Sequence, residues 1–143
     1  MDTTGTNTNK GITKLYSADI FVSDLERAID FYVNTLGFEK RTDEPVDEQG
    51  HRWVEVAPKG SDTALILAHG FGHWSPEKVG SYTGLIFSVE DMASTYKTLK
   101  AKGVTFKGEP DTQPYGTDVE AQDPDGNTFV LHDPALMLDG NVQ

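Results

Sequence analysis

The stretch Ser17–Phe38, SADIFVSDLERAIDFYVNTLGF, constrains the whole chain because a weaker copy of it recurs in the second half. Ala18, Ile20 and Val22 alternate with Ser17, Asp19 and Phe21, the period-2 pattern of a strand with two distinct faces. Ser23 and Asp24 follow, and either can accept hydrogen bonds from the orphan N–H groups of a first helical turn. Leu25, Ile29, Tyr32, Val33 and Leu36 then recur at helical spacing, and Gly37 ends the run. The copy, LIFSVEDMASTYKTLKAKGV, begins at Leu85. Val89, Asp91, Met92, Tyr96 and Leu99 stand where Val22, Asp24, Leu25, Ile29 and Tyr32 stood; Gly103 replaces Gly37 with a one-residue slip.

The segments after the two copies are also alike. After Gly37, Phe38–Thr42 reads as a second strand and DEPVDEQG as an acidic loop. HRWVEVAP (51–58) and ALILA (64–68) read as third and fourth strands. The glycine-rich stretch 69–82, HGFGHWSPEKVGSY, has no periodicity and reads as a linker. The second half repeats the order, with a strand over 84–89, a helix over 91–102 and a strand over 104–106. GEPDTQPYG reads as turns, TDVEAQ as a strand, DPDGN (123–127) as a tight turn and Thr128–His132 as the closing strand. The order βαβββ thus occurs twice, predicting an α+β fold of two modules whose sheets curve around a shared cavity. Module one is assigned to 13–68, the linker to 69–82 and module two to 83–133, with a mobile tail over 1–12 and a C-terminal tail over 134–143.

Composition narrows the chemistry. A chain of 143 residues is one domain. It has no cysteine, which excludes disulfides, zinc–thiolate sites and thiol nucleophiles. A formal net charge of -11 argues against nucleic-acid and anionic-membrane partners, which need a basic face. No apolar run approaches the roughly 20 residues that span a bilayer, and the N-terminal stretch has no secretory hydrophobic region, so a cytoplasmic protein is expected. No phosphate-binding glycine loop, nucleophile elbow or HExxH pattern is present.

The paired V-x-D-(L/M) helix starts, the FYVNTLGFE helix end and the DPDGN-T-F-V-L finish resemble the vicinal oxygen chelate superfamily, over about residues 14–133. That group includes glyoxalase I, extradiol dioxygenases and bleomycin-resistance proteins. In its metal-dependent members four ligands lie on the concave sheet faces. The resemblance carries those positions onto Ser17, Gly84, Val130 and Ile66. Glycine and two aliphatics have no donor side chain, and a neutral serine hydroxyl is a poor ligand for a divalent ion. The resemblance therefore implies the fold without its usual metal centre, and no cofactor is expected.

Strand parity gives an independent account of the cavity. If Ala18, Ile20 and Val22 pack on the helices, Ser17, Asp19 and Phe21 face the cavity. The same reasoning turns inward His51, Trp53 and Glu55; Ala64, Ile66 and Ala68; Gly84, Ile86 and Ser88; Asp118 and Glu120; and Thr128, Val130 and His132. Trp53 is either a stacking platform for a planar ligand or a half-exposed strand aromatic. Tyr115 either overhangs the mouth or packs as a turn residue. His51 and His132 suit a proton shuttle or a nonstandard metal pair with Glu55 or Glu120, or else a structural role. His69 and His73 read as linker residues, and Asp24 and Asp91 as helix caps.

The expected function is a metal-independent small-molecule-binding protein. It would hold an aromatic or planar ligand with Ser17, Asp19, Phe21, His51, Trp53, Ile66, Gly84, Tyr115 and Val130. The alternatives are a glyoxalase-like lyase or dioxygenase with a divalent metal on His51, Glu55, Glu120 and His132, and a metal-free isomerase or epimerase with Glu55, Glu120 or His132 as catalytic group. A homodimer is expected, because open half-barrels are completed by a second chain and members of the family often pair in this way.

Overall fold

Both helices begin at an aspartate in extended conformation. The Asp24 carboxylate accepts from the Arg27 N–H, and the Asp91 carboxylate from the Ser94 N–H, each at 3.1 Å. These capping bonds satisfy donors that the first turn leaves unpaired. The other candidate cap, Ser23, turns instead to Asp125 in the far half of the chain. The computed structural model describes residues 10–134. The tails expected at the two ends therefore fall largely outside the described residues, Leu136, Met137 and Leu138 included.

The first module runs β1 (Ser17–Phe21), α1 (Leu25–Ile29), β2 (Glu39–Pro45), β3 (Arg52–Ala57) and β4 (Ala64–Ala68). The second runs β5 (Tyr82–Ser88), α2 (Met92–Ala101), β6 (Thr105–Phe106), β7 (Asp111–Gln113), β8 (Gly116–Gln122) and β9 (Thr128–Asp133). Two sheets result, ordered β1-β4-β3-β2 and β5-β9-β8-β6, with β7 added as a hairpin on β8. In each sheet the first strand lies parallel to the last and the others are antiparallel. The duplication read from the sequence is thus a duplication of topology.

The residues that parity assigned to the helix side form the core. Ile20, Val22, Val54, Val56, Leu65 and Leu67 of the first sheet share one buried cluster with Val119, Ala121, Phe129 and Leu131 of the second. Each such side chain contributes about 1.5–3 kcal/mol when fully buried. A closed ring of aromatics joins the modules: Tyr32 to Phe38 at 6.0 Å, Phe38 to Phe87 at 5.4 Å, Phe87 to Phe129 at 5.4 Å and Phe129 to Tyr32 at 6.4 Å.

Several elements differ from expectation. The first helix is α-helical only to Ile29 and continues as a π-helix over Asp30–Thr35, closed by Leu36 N–H to Phe31 O at 2.9 Å. Phe31 and Tyr32, adjacent in sequence, are both buried in this wider turn. The second strand starts at Glu39 and reaches Pro45, because Arg52 clamps the Asp43 carboxylate with Nε and Nη2 at 2.9 and 2.6 Å. Pro45 is tolerated there at the end of an edge strand. The stretch expected only as turns contributes β7. The region read as a featureless linker folds back on β1: His69 Nδ1 and Trp74 Nε1 both donate to the Val22 carbonyl at 3.0 Å. A carbonyl only accepts, so this bond fixes the His69 proton on Nδ1. Among the described residues no helix is long and apolar enough to cross a membrane.

Candidate functional site

The first sheet carries most of the residues that parity turned away from the core. Asp19 of β1 pairs in register with Ile66 of β4, and Ile66 with Glu55 of β3. The two carboxylates therefore flank Ile66 on one face, two strand spacings apart. Ile66 is 1% exposed, and Ala64 and Ala68 beside it are also buried, so small and aliphatic side chains floor this face. Phe21 lies next to Ala68.

Glu55 is 8% exposed. Its Oε2 accepts hydrogen bonds from Trp53 Nε1 at 2.8 Å and from the Tyr16 hydroxyl at 2.9 Å. The bond to Glu55 holds the Tyr16 phenol above its ordinary pKa, because ionising it would place a second anion beside the carboxylate. Trp53 also packs against Phe71, ring centres 6.2 Å apart, and Phe71 against His51 at 6.3 Å. His51 itself is tied to the Asp47 carboxylate through Nδ1 at 2.6 Å, which keeps that carboxyl below the usual range. An indole, a phenyl ring, a buried carboxylate and a phenol thus share one sheet face. Such a surface can stack a flat molecule and bind one polar group on it.

The second sheet carries the rest, and the described residues of one chain do not unite the two sets. Gly84 lies in β5, Val130 and His132 in β9, Glu120 in β8 and Tyr115 in the turn between β7 and β8. His132 Nδ1 meets Asp118 Oδ1 at 2.5 Å, leaving Nε2 as its remaining nitrogen, and the Tyr115 ring stacks on the imidazole at 6.5 Å. Tyr115 is therefore a partner of His132, not of Trp53. Glu120 lies 3.8 Å from Lys107. The rearranged metal set of His51, Glu55, Glu120 and His132 is divided between the sheets. Among the described residues no group of three or more acidic or histidine side chains is arranged to hold a metal ion.

The metal positions implied by the family resemblance do not suit a divalent ion here. Ser17 and Ile66 lie on the first sheet, with Ile66 buried and paired in register on both sides. Val130 pairs with Ile86 and Glu120. Gly84 has φ +76° and sits in a bulge, where the β5–β9 register jumps from Tyr82–Thr128 to Ile86–Val130. The Thr83 hydroxyl closes the bulge, donating to Thr128 O at 2.7 Å and accepting from Leu85 N–H at 3.1 Å. This position serves backbone geometry that a ligand side chain would strain.

At the seam between the modules, Asp19, Phe21, Lys78, Tyr82, Thr83 and Asn127 line a cleft of about 270 Å³. Lys78 Nζ lies 5.7 Å from the Phe21 ring centre. Asp19 and Phe21 thus belong both to this cleft and to the first sheet. Tyr82, at the cleft, and Ile86, farther along β5, are each 63% exposed, and Tyr115 is 50% exposed. The second sheet presents an open face. Sequence reasoning missed Tyr16 and Phe71. Tyr16 precedes the strand, where alternation does not apply, and Phe71 lies between glycines in an aperiodic loop; its only signal was an aromatic in that setting.

The model for the Glyoxalase/Bleomycin resistance protein/Dioxygenase superfamily matches residues 14–131. A superfamily member from Sphaerobacter thermophilus superposes with a TM-score of 0.76 at 42% identity, covering 85% of this chain and 98% of that one. TnmS3, an antibiotic binding protein from Streptomyces sp. CB03234, gives a TM-score of 0.76 at 38% identity, covering 88% and 99%. The protein YetH of Bacillus subtilis is 33% identical over 120 residues, 84% of this chain and 98% of its own length.

Proposed function

We propose a binding role for this chain, which belongs to the glyoxalase/bleomycin resistance protein/dioxygenase superfamily. It holds a planar, aromatic small molecule on the face built from Trp53, Phe71 and Phe21, and does so without a metal. The observation that carries this reading is a contrast on two sheets. The four positions where metal-dependent relatives place ligands hold Ser17, Ile66, Gly84 and Val130, while the first of these sheets offers Trp53 fixed by a hydrogen bond to Glu55. A tryptophan held by its N–H keeps its ring orientation, which lowers the entropy lost on stacking a ligand. The resemblance to TnmS3, described as antibiotic binding, supports the same class of ligand.

The open face of the second sheet completes the site from a second copy. Ile86, Tyr82 and Tyr115 are half or more exposed, left uncovered by the described residues of one chain, and an apolar face of this kind is stabilised by burial. In a homodimer that face covers the Trp53–Glu55 surface of the partner.

The test is calorimetric titration of the metal-analysed protein with a panel of flat polycyclic compounds. Saturable binding that persists in EDTA and is lost in Trp53→Ala is the expected result. Binding that requires added Ni, Zn, Mn or Fe(II), or substrate turnover with no ligand retained, would overturn it.

A further inference from the structure

Glu55 is a buried carboxylate with no counter-ion among the described residues. It is 8% exposed, and its two donors, Trp53 Nε1 and the Tyr16 hydroxyl, are neutral and both sit on Oε2. Among the described residues no lysine, arginine or histidine forms an ion pair with it, although Arg27, Lys40, Arg41, Arg52 and Lys107 all pair with other acids. Oε1 accepts no hydrogen bond from a described residue. Among the described residues no fully enclosed side-chain oxygen lacks a partner, so Oε1 remains within reach of an incoming atom. Asp19, across Ile66, adds a second negative charge to the same face. Removing a carboxylate from water without a cation carries a desolvation penalty, and two neutral donors recover only part of it.

We infer that Glu55 Oε1 is a subsite for a protonated nitrogen, so that the ligand is a flat aromatic cation whose N–H donates to Oε1 while its rings lie against Trp53 and Phe71. The inference rests on the binding role proposed above and narrows its ligand class. A cationic nitrogen supplies the missing counter-charge and the missing donor together, and the adjoining indole face favours the same charge. The net charge of -11 draws cations toward the protein in general, but only Glu55 ties the preference to one atom.

The experiment compares three flat probes with one fused-ring outline: 9-aminoacridine, a cation at neutral pH; 2-aminoanthracene, neutral; and anthracene-9-carboxylate, an anion. Each is titrated by calorimetry into the wild-type protein and into Glu55→Gln, which keeps an acceptor for Trp53 and Tyr16 but no charge. The cation is expected to bind about tenfold or more tightly than the neutral probe, with the anion weakest. In Glu55→Gln the ratio of cation to neutral-probe affinity is expected to shrink to about twofold, whatever change both probes share. Equal binding of cation and neutral probe by the wild type overturns the subsite and leaves the aromatic face standing. A cation preference that survives in Glu55→Gln overturns it too, by assigning the preference to the overall charge. Failure of all three probes overturns both the aromatic face and the subsite. If Glu55→Gln does not fold, Tyr16→Phe serves instead. Tyr16 is exposed, and losing its hydroxyl leaves the carboxylate less compensated, so the cation's advantage widens; an unchanged or narrower advantage overturns the inference.

Discussion

The hydroxyl of Tyr32, in the first module's helix, donates to the carboxylate of Asp123, in the last turn of the second module, at 2.9 Å with both residues buried. Burial and the Asp123 charge push the Tyr32 pKa up, favouring the protonated phenol that donates to Asp123. The pentad Asp123–Asn127 is therefore more than a turn. Asn127 Nδ2 donates to Phe21 O and its Oδ1 accepts from Gly80 and Ser81 N–H, while Asp125 holds Ser23 and Arg27. One five-residue turn clasps β1, the helix start and the chain entering β5.

Breaking the clasp should be costly in proportion to the groups it leaves unpaired. Tyr32→Phe removes one donor and is expected to destabilise by about 1–2 kcal/mol. Asn127→Ala strands Phe21 O and the Gly80 and Ser81 amides as well, for about 2–4 kcal/mol. Urea unfolding measures both. Faster hydrogen exchange at Gly80 and Ser81 in Asn127→Ala, ahead of global unfolding, would locate the effect at the module seam; unchanged protection there would refute the clasp.

Gly84→Ala tests why a glycine occupies the position. A Cβ at Gly84 meets nothing within 4 Å, so the substitution costs only backbone strain at φ +76°. The expected loss is about 1 kcal/mol. A neutral result in thermal unfolding would mean the bulge relaxes, and would reopen β5 to a ligand-bearing side chain.

Much of this architecture was legible in the sequence because alternation and helical spacing report burial directly. Ile20, Val22, Val54, Val56, Leu65 and Leu67 were assignable to the core by parity alone. What parity does not carry is the relation between modules. DPDGN announces a turn, but nothing local says that Asp123 meets Tyr32, or that Asp125 takes Ser23 from its expected cap. Site residues outside regular strands were equally silent. Tyr16 and Phe71 reach the Glu55–Trp53 face from a strand entrance and a glycine loop, where no period exists to orient them. The turn-rich sequence leaves Tyr115 open between overhanging the mouth and packing as a turn residue, and its stacking on His132 follows from the β7–β8 hairpin that this sequence concealed.

The Asp43 carboxylate predicts an acid-sensitive first sheet. Hydrogen bonds from Arg52 and Lys40 hold its pKa well below the usual carboxylate range, and Arg52 also reaches Glu26 in α1. A folded-state pKa below the unfolded value of about 3.9 adds stability that is fully present above that value. The contribution disappears as pH falls from there through the depressed folded value. Asp43→Asn should therefore be less stable than wild type at neutral pH, with the gap constant down to about pH 5 and closing as the medium is acidified further. A gap independent of pH to the acid limit would show that Asp43 acts through shape rather than charge.

The proposed pairing of two copies through the second sheet makes a prediction about salt as well as mutation. Each chain carries a formal charge of -11, so two copies repel, and only apolar burial at Ile86, Tyr82 and their neighbours can offset that repulsion. Screening acts on the repulsion and leaves the burial intact, so added salt should tighten the dimer, opposite to the response of an interface held by ion pairs. Ile86→Glu places a further negative charge on a side chain that is 63% exposed in one chain, on the face proposed to cover the partner's acidic Glu55–Asp19 surface. It should leave monomer stability within about 0.5 kcal/mol of wild type and yet dissociate the dimer in sedimentation at micromolar concentration. A wild-type protein that sediments as a monomer there refutes the pairing, and an Ile86→Glu dimer moves the interface to another face.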